Sequence, residues 1–334
     1  MVGEEINYMN VMYATDMNYA PICGVSLYSL LTNNQQEHIH TYIFEKDLGD
    51  EKNRFLELSE EFDVEITFID VSEIEKLCKE LNIPSFRGGY MAYARLFADR
   101  YIGKQRVLYL DCDTLVVGQL DDLWKLNLGR KPAAAVLDCI HHYANRFIYK
   151  EDSANYINSG VMLIDYNLWC SGNYTKKIED SLRIIDIHKT ATYGDQDILN
   201  HAMGEDFYIL PPKYNAMYIT RYFSASQNYM VLSKNKDSYY SEKIINDSKN
   251  DLKIIHFSGR NILRPWVVNN ILADDETQQW ESYLIKSPWK NFKKILTSNN
   301  GLKEKIVGYY LKHDTVFLCL VHRLIKKYSL YIRL

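Results

Sequence analysis

The sequence contains no closely spaced pair of cysteines. Its six cysteines are scattered along 334 residues, and none forms a Cys-x-x-Cys pair, so neither a zinc site nor a disulfide framework is predicted. The N-terminal stretch is acidic and lacks the apolar core of a signal peptide. The longest apolar run near the end, residues 316–321, is far too short to cross a bilayer. These absences predict a cytoplasmic protein.

An excess of positive charge is also lacking. Lysine and arginine number 39 against 43 aspartates and glutamates, and the net charge of −4 argues against a nucleic-acid partner bound across the whole surface. Tyrosine, in contrast, is abundant, with 27 residues. Its apolar ring and polar hydroxyl suit a cleft for polar, ring-shaped ligands or a membrane interface, although compositional drift explains the count equally well.

Strand-like and helix-like segments alternate through the first part of the chain. In chain order, these predicted segments are residues 11–14, 21–31, 41–44, 51–62, 64–71 and 72–81. Such alternation indicates an α/β fold with a parallel sheet and helices on its faces. Further strands are predicted at 107–110, 133–137, 161–164 and 254–257, and further helices at 174–187 and from 194 and 274 onward. Sheets of this kind bind ligands beyond the carboxyl ends of their strands, where the polar turn 15–19 lies.

Two carboxylates, Asp111 and Asp113, directly follow the apolar strand at 107–110. Burying an ionised carboxylate without a partner is costly. A divalent cation would compensate both, whereas the alternative is a capping aspartate beside a surface one. His256 lies at another predicted strand end. A lone histidine is more often structural than a ligand, but with two carboxylates it would complete a site that favours Mn²⁺ over Mg²⁺.

Six motifs then occur in a recognisable order. They are YATDMNY at 13–19, YARL at 93–96, VLYLDCDTLV at 107–116 with LDDLW at 120–124, NSGVMLID at 158–165, GDQDILN at 194–200, and HFSG at 256–259 with RPW at 264–266. Each motif is weak singly, but the ordered set is specific. Through it, about the first 270 residues resemble glycosyltransferase family 8, the retaining group that includes bacterial lipopolysaccharide glucosyl- and galactosyltransferases and, more distantly, glycogenin.

The resemblance implies a GT-A fold, which is Rossmann-like with a mostly parallel central sheet flanked by helices. It also implies Mn²⁺-dependent (or Mg²⁺-dependent) transfer of a hexose from UDP-glucose or UDP-galactose to a saccharide or glycolipid acceptor. By position, the metal ligands are Asp111, Asp113 and His256, and the candidate catalytic residues are Gln196 and Asp195. The implied donor-binding residues are Ala14, Thr15, Asp16, Asn18, Tyr19, Arg95, Asp111, Cys112, Asp113, Asp138, Asn158, Ser159, Asp195, Gln196, His256, Gly259 and Arg264.

Several of these positions also have a purely structural interpretation. Asp16 and Asn18 suit any turn between a strand and a helix, Asp195 suits a helix N-cap, and Arg95 suits a surface salt bridge. The family usually places a lysine before Pro-Trp to contact the diphosphate, whereas this chain has Arg264 there, after a longer spacer. Arg260 is a second candidate for that contact.

The retaining reaction leaves two routes open. In a double displacement, Gln196 or Asp195 would attack the sugar from its far face. An amide is a poor nucleophile, so a same-face internal return, in which a diphosphate oxygen accepts the proton of the acceptor, is at least as plausible.

The last part of the chain changes in composition. We expect a catalytic domain at 1–270 and a helical, basic C-terminal region at 271–334. Within 301–334, seven lysines and arginines interleave with aromatic and aliphatic residues. Such a segment suits an anionic membrane surface, which would place the protein peripherally on the inner face of the plasma membrane, or else it packs on the domain as a solvated helix.

Two other functions compete. Asp111-Cys112-Asp113-Thr114 after an apolar strand also fits the opening motif of haloacid-dehalogenase-like phosphatases, in which the first aspartate is the nucleophile. That interpretation leaves the motifs around Asn158, Asp195 and His256 unexplained. The second competitor is a non-catalytic protein that binds a UDP-sugar or associates with membranes.

Overall fold

A seven-stranded sheet flanked by helices forms the centre of the chain in this computed structural model, which describes residues 8–83, 85, 89–140, 155–184, 194–259, 261–268, 270, 274–296, 320, 321, 323 and 324. The strands are β1 (Met9–Asp16), β2 (Ile39–Lys46), β3 (Glu65–Asp70), β4 (Arg106–Leu110), β5 (Thr114–Val116), β6 (Ala133–Leu137), β7 (Ile157–Asp165), β8 (Phe207–Leu210) and β9 (Ile254–His256). The α-helices are α1 (Ala20–Asn33), α2 (Glu51–Phe62), α3 (Ser72–Glu80), α4 (Ala94–Phe97), α5 (Asp99–Ile102), α6 (Asp121–Trp124), α7 (Tyr166–Ser171), α8 (Tyr174–Ile184), α9 (Asp195–Met203), α10 (Tyr218–Tyr222), α11 (Ala225–Leu232), α12 (Glu242–Asn250) and α13 (Asp274–Leu284).

The sheet has the order β3-β2-β1-β4-β7-β6-β8 and is mostly parallel, as predicted. Strand β7 is the exception, because it runs antiparallel to both β4 and β6. Its first residues therefore lie beside the end of β4, where Leu110 pairs with Val161 and the Asp111 N–H donates to the Gly160 carbonyl at 2.7 Å. This reversal brings the start of the NSGVMLID motif beside the end of β4, where Asp111 and Asp113 follow.

A second, two-stranded sheet brings the distant histidine to the same place. Strands β5 and β9 pair antiparallel with Thr114 opposite His256, and the Phe257 N–H donates to the Asp113 carbonyl at 2.8 Å. On the other side of β9, Ala216 forms a bridge with Ile255. His256 is thus fixed between the strand that follows the two aspartates and the segment around residue 216.

The residues after 270 that the structure describes pack on the central domain. Trp280 and Trp289 are buried in the same core as the sheet. A Cβ atom added to Gly24, on helix α1, would lie 2.2 Å from the Trp289 ring, so that ring lies directly against the helix backbone. The domain boundary expected at 270 stays a prediction.

Parts of several predicted segments lie outside the described residues. The helix predicted at 174–187 is described as far as residue 184. Of the basic tail, only residues 320, 321, 323 and 324 are described, and all four are helical. Every helix in the described part of the chain is too short or too polar to span a bilayer.

Candidate active site

A cavity of about 650 Å³ opens at the carboxyl ends of β1 and β4. All of the donor-binding residues predicted from the sequence line it except Asn18. Asn18 is instead exposed in the turn between β1 and α1. In the same turn, the side chain of Asp16 accepts a hydrogen bond from the Tyr19 N–H at 3.0 Å, and the Tyr19 ring lies edge-on to Trp266. The sequence therefore identified one shared cavity from residues that are as many as 250 positions apart.

The three predicted metal ligands converge in this cavity. Ligand atoms of Asp111, Asp113 and His256 all lie within 4.8 Å of one another. Nε2 of His256 is 3.2 Å from Asp113 Oδ1 and 3.8 Å from Asp111 Oδ2. Burial lowers the pKa of His256, but attraction by the two carboxylates outweighs it, so that the pKa is raised. Two carboxylates and one imidazole aimed at a common point are a donor set that fits Mn²⁺ or Mg²⁺.

Gly160 makes this convergence sterically possible. A Cβ atom at this position would lie 2.3 Å from Cε1 of His256, 2.8 Å from Asp111 Oδ2 and 3.0 Å from Asn158 Oδ1. Carbon atoms in contact are ordinarily about 3.5–4.0 Å apart. No larger residue fits here while the three side chains keep their places.

Arg95 neutralises part of the negative charge of the aspartates in the cavity. Its guanidinium is 3.0 Å from Asp111 and 3.2 Å from Asp195, and it also donates to the Ser159 carbonyl. Arg95 is only 4% exposed and stacks over the Tyr109 ring at 4.0 Å. It is therefore a buried charge that joins two motifs rather than a surface salt bridge.

Asp195 is the first residue of helix α9, which begins directly after Gly194. Its Oδ2 accepts from Ser159 Oγ at 3.3 Å and faces Arg95. Burial raises the pKa of Asp195 to about 6, an effect that attraction by Arg95 only partly offsets. This carboxyl can consequently be protonated at mildly acid pH.

A network of amides joins Asp138 to the next residue of that helix, Gln196. Gln196 Nε2 donates to Asp138 Oδ2 at 2.8 Å and to the Tyr156 hydroxyl at 3.1 Å. Gln196 Oε1 accepts from Asn158 Nδ2 and from the Ser159 N–H, each at 3.1 Å. Both hydrogens and both lone-pair directions of the Gln196 amide are thus used within the protein.

Of the two arginines predicted to contact the diphosphate, the structure describes Arg264. Nη2 of Arg264 is 3.5 Å from Asp113 Oδ2, so this guanidinium lies beside the predicted metal ligands. Its Nε is buried and has no hydrogen-bond partner among the described residues. Arg260 lies outside the described residues.

The cavity has an excess of negative charge among its described residues. The lining contains five aspartates and two arginines: Asp16, Asp111, Asp113, Asp138, Asp195, Arg95 and Arg264. An anionic ligand such as a diphosphate would be repelled by this excess of negative charge. A bound divalent cation removes most of that repulsion, so the electrostatics agree with the donor set.

Sequence reasoning missed several residues of the site. Asn215 hydrogen bonds to His256 Nδ1 at 2.8 Å, and the Tyr109 hydroxyl donates to Asp111 at 2.6 Å. Tyr109 alternates with Asp111 along the strand, which was an available signal. Asn215 lies in a Tyr- and Asn-rich stretch that carried no interpretable pattern.

Comparison with known proteins agrees with this geometry. The model of the family described as Glycosyl transferase family 8 matches residues 10–269. General stress protein A of Bacillus subtilis (strain 168) is 30% identical over 289 residues, which cover 84% of this chain and 94% of that protein. Lipopolysaccharide 1,2-glucosyltransferase of Escherichia coli is 29% identical over 337 residues, which cover 97% of this chain and 93% of that protein.

A solved structure supports the fold. Galactosyltransferase LgtC, crystallised with donor and acceptor sugar analogues, matches with a TM-score of 0.66 and 20% sequence identity. The match covers 89% of this chain and 99% of that one. The expected GT-A architecture is confirmed.

Proposed function

The chain belongs to glycosyltransferase family 8, and we propose that it moves glucose or galactose from a UDP-sugar to a saccharide or lipid-linked acceptor, using Mn²⁺. The observation that carries this proposal is the convergence of Asp111, Asp113 and His256 beside a polar pocket. Family membership favours transfer over the phosphatase alternative. It also gives a use to the motifs around Asn158 and Asp195, which that alternative left unexplained.

In this proposal Asp111, Asp113 and His256 would hold the ion in the part of the cavity that receives the diphosphate. When bound, the ion would stabilise the negative charge that develops on UDP as the bond to the sugar breaks. Arg264, beside Asp113, would add a second positive charge at the same oxygens. At the other end of the cavity, the Tyr19 ring would stack on the uracil base.

The sugar would lie against the amide network. Asp138, Asn158 and Gln196 are all buried and hydrogen bonded to one another, so their positions are fixed before the donor enters. Hexoses are discriminated by groups that match particular hydroxyls, because a hydroxyl left unpaired in a buried pocket is unfavourable.

The contacts of Gln196 bear on the two chemical routes. Its Oε1 already accepts two hydrogen bonds, one of them from a backbone N–H, so it has no lone pair directed at a sugar carbon. Attack by Gln196 would require breaking that network. These contacts support same-face return, with Gln196 positioning the pocket rather than forming a covalent bond.

A donor screen tests the proposal. Purified protein is incubated with individual UDP-sugars and Mn²⁺, and released UDP is measured. We expect hydrolysis of UDP-glucose or UDP-galactose that stops when the metal is chelated. D113N should lower the rate by about 100-fold, whereas the exposed-site control D122N should match the wild type. No UDP release with any donor would refute the proposal and support a non-catalytic binding protein, and hydrolysis of phosphomonoesters would support the phosphatase.

For the acceptor we propose a lipid-linked saccharide at an anionic membrane surface, since one relative is a lipopolysaccharide glucosyltransferase and the tail is basic and aromatic. Basic residues near such a surface contribute about 1 kcal/mol each. Replacing Arg323, Lys326 and Lys327 with glutamine should therefore weaken sedimentation with anionic liposomes at low salt. Neutral liposomes are the control, and equal binding of both vesicle types would refute the membrane proposal.

A further inference from the structure

Asn215 is a fully buried amide that links the metal ligands to the sugar pocket. It follows a short 3₁₀ turn, Pro212–Tyr214, and its own N–H donates to the Pro212 carbonyl at 3.1 Å. The next residue holds this segment on β9: the Ala216 N–H donates to Ile254, and its carbonyl accepts from the His256 N–H. Backbone pairing thus fixes Asn215 beside His256.

Backbone groups also determine which way each amide points. The Gly160 N–H donates to Asn158 Oδ1 at 3.1 Å, which identifies that atom as the oxygen. The group of Asn215 that contacts Asn158 Oδ1 at 2.8 Å must therefore be its NH₂. Consequently, Asn215 Oδ1 faces His256 Nδ1 at 2.8 Å, and that nitrogen must carry a hydrogen. In the neutral imidazole, this leaves the Nε2 lone pair directed at Asp111 and Asp113.

We propose that Asn215 is a positioning residue that selects the metal-binding tautomer of His256 and holds Asn158 in place for the donor sugar. This inference rests on the proposed function, because it assumes that a cation binds at Nε2. Ligating histidines ordinarily donate their other N–H to an acceptor that fixes the ring, and losing that acceptor lowers metal affinity by about 10- to 100-fold.

Two substitutions separate the two halves of this role. N215A removes both the acceptor for His256 and the donor to Asn158. N215D keeps an acceptor for His256 but cannot donate to Asn158. We therefore expect N215A to lose metal affinity and donor binding together, and N215D to retain metal affinity while the KM for the UDP-sugar rises.

The matched control is another fully buried asparagine, remote from the cavity. Asn34 accepts from the Leu120 N–H and donates to the Leu30 carbonyl. N34A should lose stability but bind Mn²⁺ like the wild type, which separates a general loss of packing from a specific effect on the ligand.

Mn²⁺ affinity is measured from the EPR signal of the unbound ion, with and without UDP, so that no catalytic turnover is needed. We expect N215A to raise the Kd for Mn²⁺ at least about tenfold and N215D to stay within about threefold of the wild type. Wild-type affinity in N215A, or an equal loss in N215A and N215D, would overturn the positioning role. Failure of the wild type itself to bind Mn²⁺ would instead overturn the proposed metal site, and the role of Asn215 with it.

Discussion

Replacing Gly160 with alanine tests whether the proposed metal ligands need the space that glycine leaves. Gly160 lies within strand β7, and its φ is outside the left-handed region, so the backbone itself accepts an alanine. The only obstacle is the new methyl group, which would lie 2.3 Å from Cε1 of His256 and 2.8 Å from Asp111 Oδ2. The effect of this substitution is therefore steric and local.

The size of the displacement follows from those distances. Ordinary contact begins at 3.4 Å, so the His256 ring must move at least 1.1 Å away from a methyl group at 2.3 Å. Metal–ligand bonds tolerate deviations of only about 0.2 Å, and a misplacement of about 1 Å in a site can reduce a rate about 100-fold. We expect G160A to raise the Kd for Mn²⁺ about 100-fold and to lower the free energy of unfolding by about 1–3 kcal/mol through overpacking.

Mn²⁺ titrations followed by EPR, together with urea unfolding, measure both quantities. The control is G89A, since Gly89 also lines the cavity but a Cβ atom there meets nothing within 4 Å among the described residues. If G160A bound Mn²⁺ as tightly as the wild type and G89A did, the crowding argument for the metal site would be wrong.

Three further substitutions probe two charged residues of the cavity and one close packing contact in the core. R95K should lower the free energy of unfolding by about 3 kcal/mol, because one lysine ammonium cannot replace the three directed contacts of the Arg95 guanidinium. The control R100K, at an exposed ion pair, should lower it by about 0.5 kcal/mol or less. Equal losses for the two variants in urea unfolding would contradict this prediction. Because burial raises the pKa of Asp195 to about 6, its stabilising contribution is present below about pH 4 and is lost as the pH rises through 6. As the pH rises from about 4 to above 6, the free energy of unfolding of D195N should therefore increase relative to that of the wild type by up to about 3 kcal/mol. A difference between the two proteins that does not change with pH would refute the raised pKa of Asp195. G24A should be destabilised by about 3 kcal/mol despite a helix-propensity gain of about 1 kcal/mol, because the Trp289 ring lies at 2.2 Å, and a higher Tm would disprove it.

The alternation of strands and helices could be predicted from the sequence, because the strands are short apolar runs whereas the apolar residues of the helices recur at helical spacing. The direction of β7 was not readable, since a buried run such as Val161–Ile164 looks the same whichever way it pairs. That direction decides where Asn158 and Gly160 lie. The motif order placed Asn158 in the predicted site, but Gly160 was not among the predicted site residues, and only the fold explains why the start of β7 meets the end of β4.

The candidate metal ligands could be predicted from the sequence, because two aspartates and a histidine at strand ends rarely share one structural role. The residues that hydrogen bond to these ligands could not be predicted. Asn215 reaches His256 across 41 positions and Asn158 across 57. An asparagine in an irregular segment carries no periodic signal, and its function exists only once backbone pairing has brought three segments together. Asn18 matches a motif position but is exposed and outside the cavity lining, so its predicted role in donor binding stays a prediction.

If the metal and the donor sugar bind as proposed, the two binding events are linked through Asn158. Asn158 uses its oxygen for Gly160 and Asn215 and its NH₂ for Asp138 and Gln196, so one amide serves the ligand side and the sugar side at once. A substitution at Asp138 that removed its carboxylate would leave Gln196 as the one remaining acceptor of the Asn158 NH₂ and would hold that amide less firmly. Any shift of Asn158 would weaken its hydrogen bond from Asn215 and, through Asn215, the hold on His256. Changes in donor specificity at Asp138 should therefore carry a penalty in Mn²⁺ affinity, unless the replacement residue keeps an acceptor at the same position.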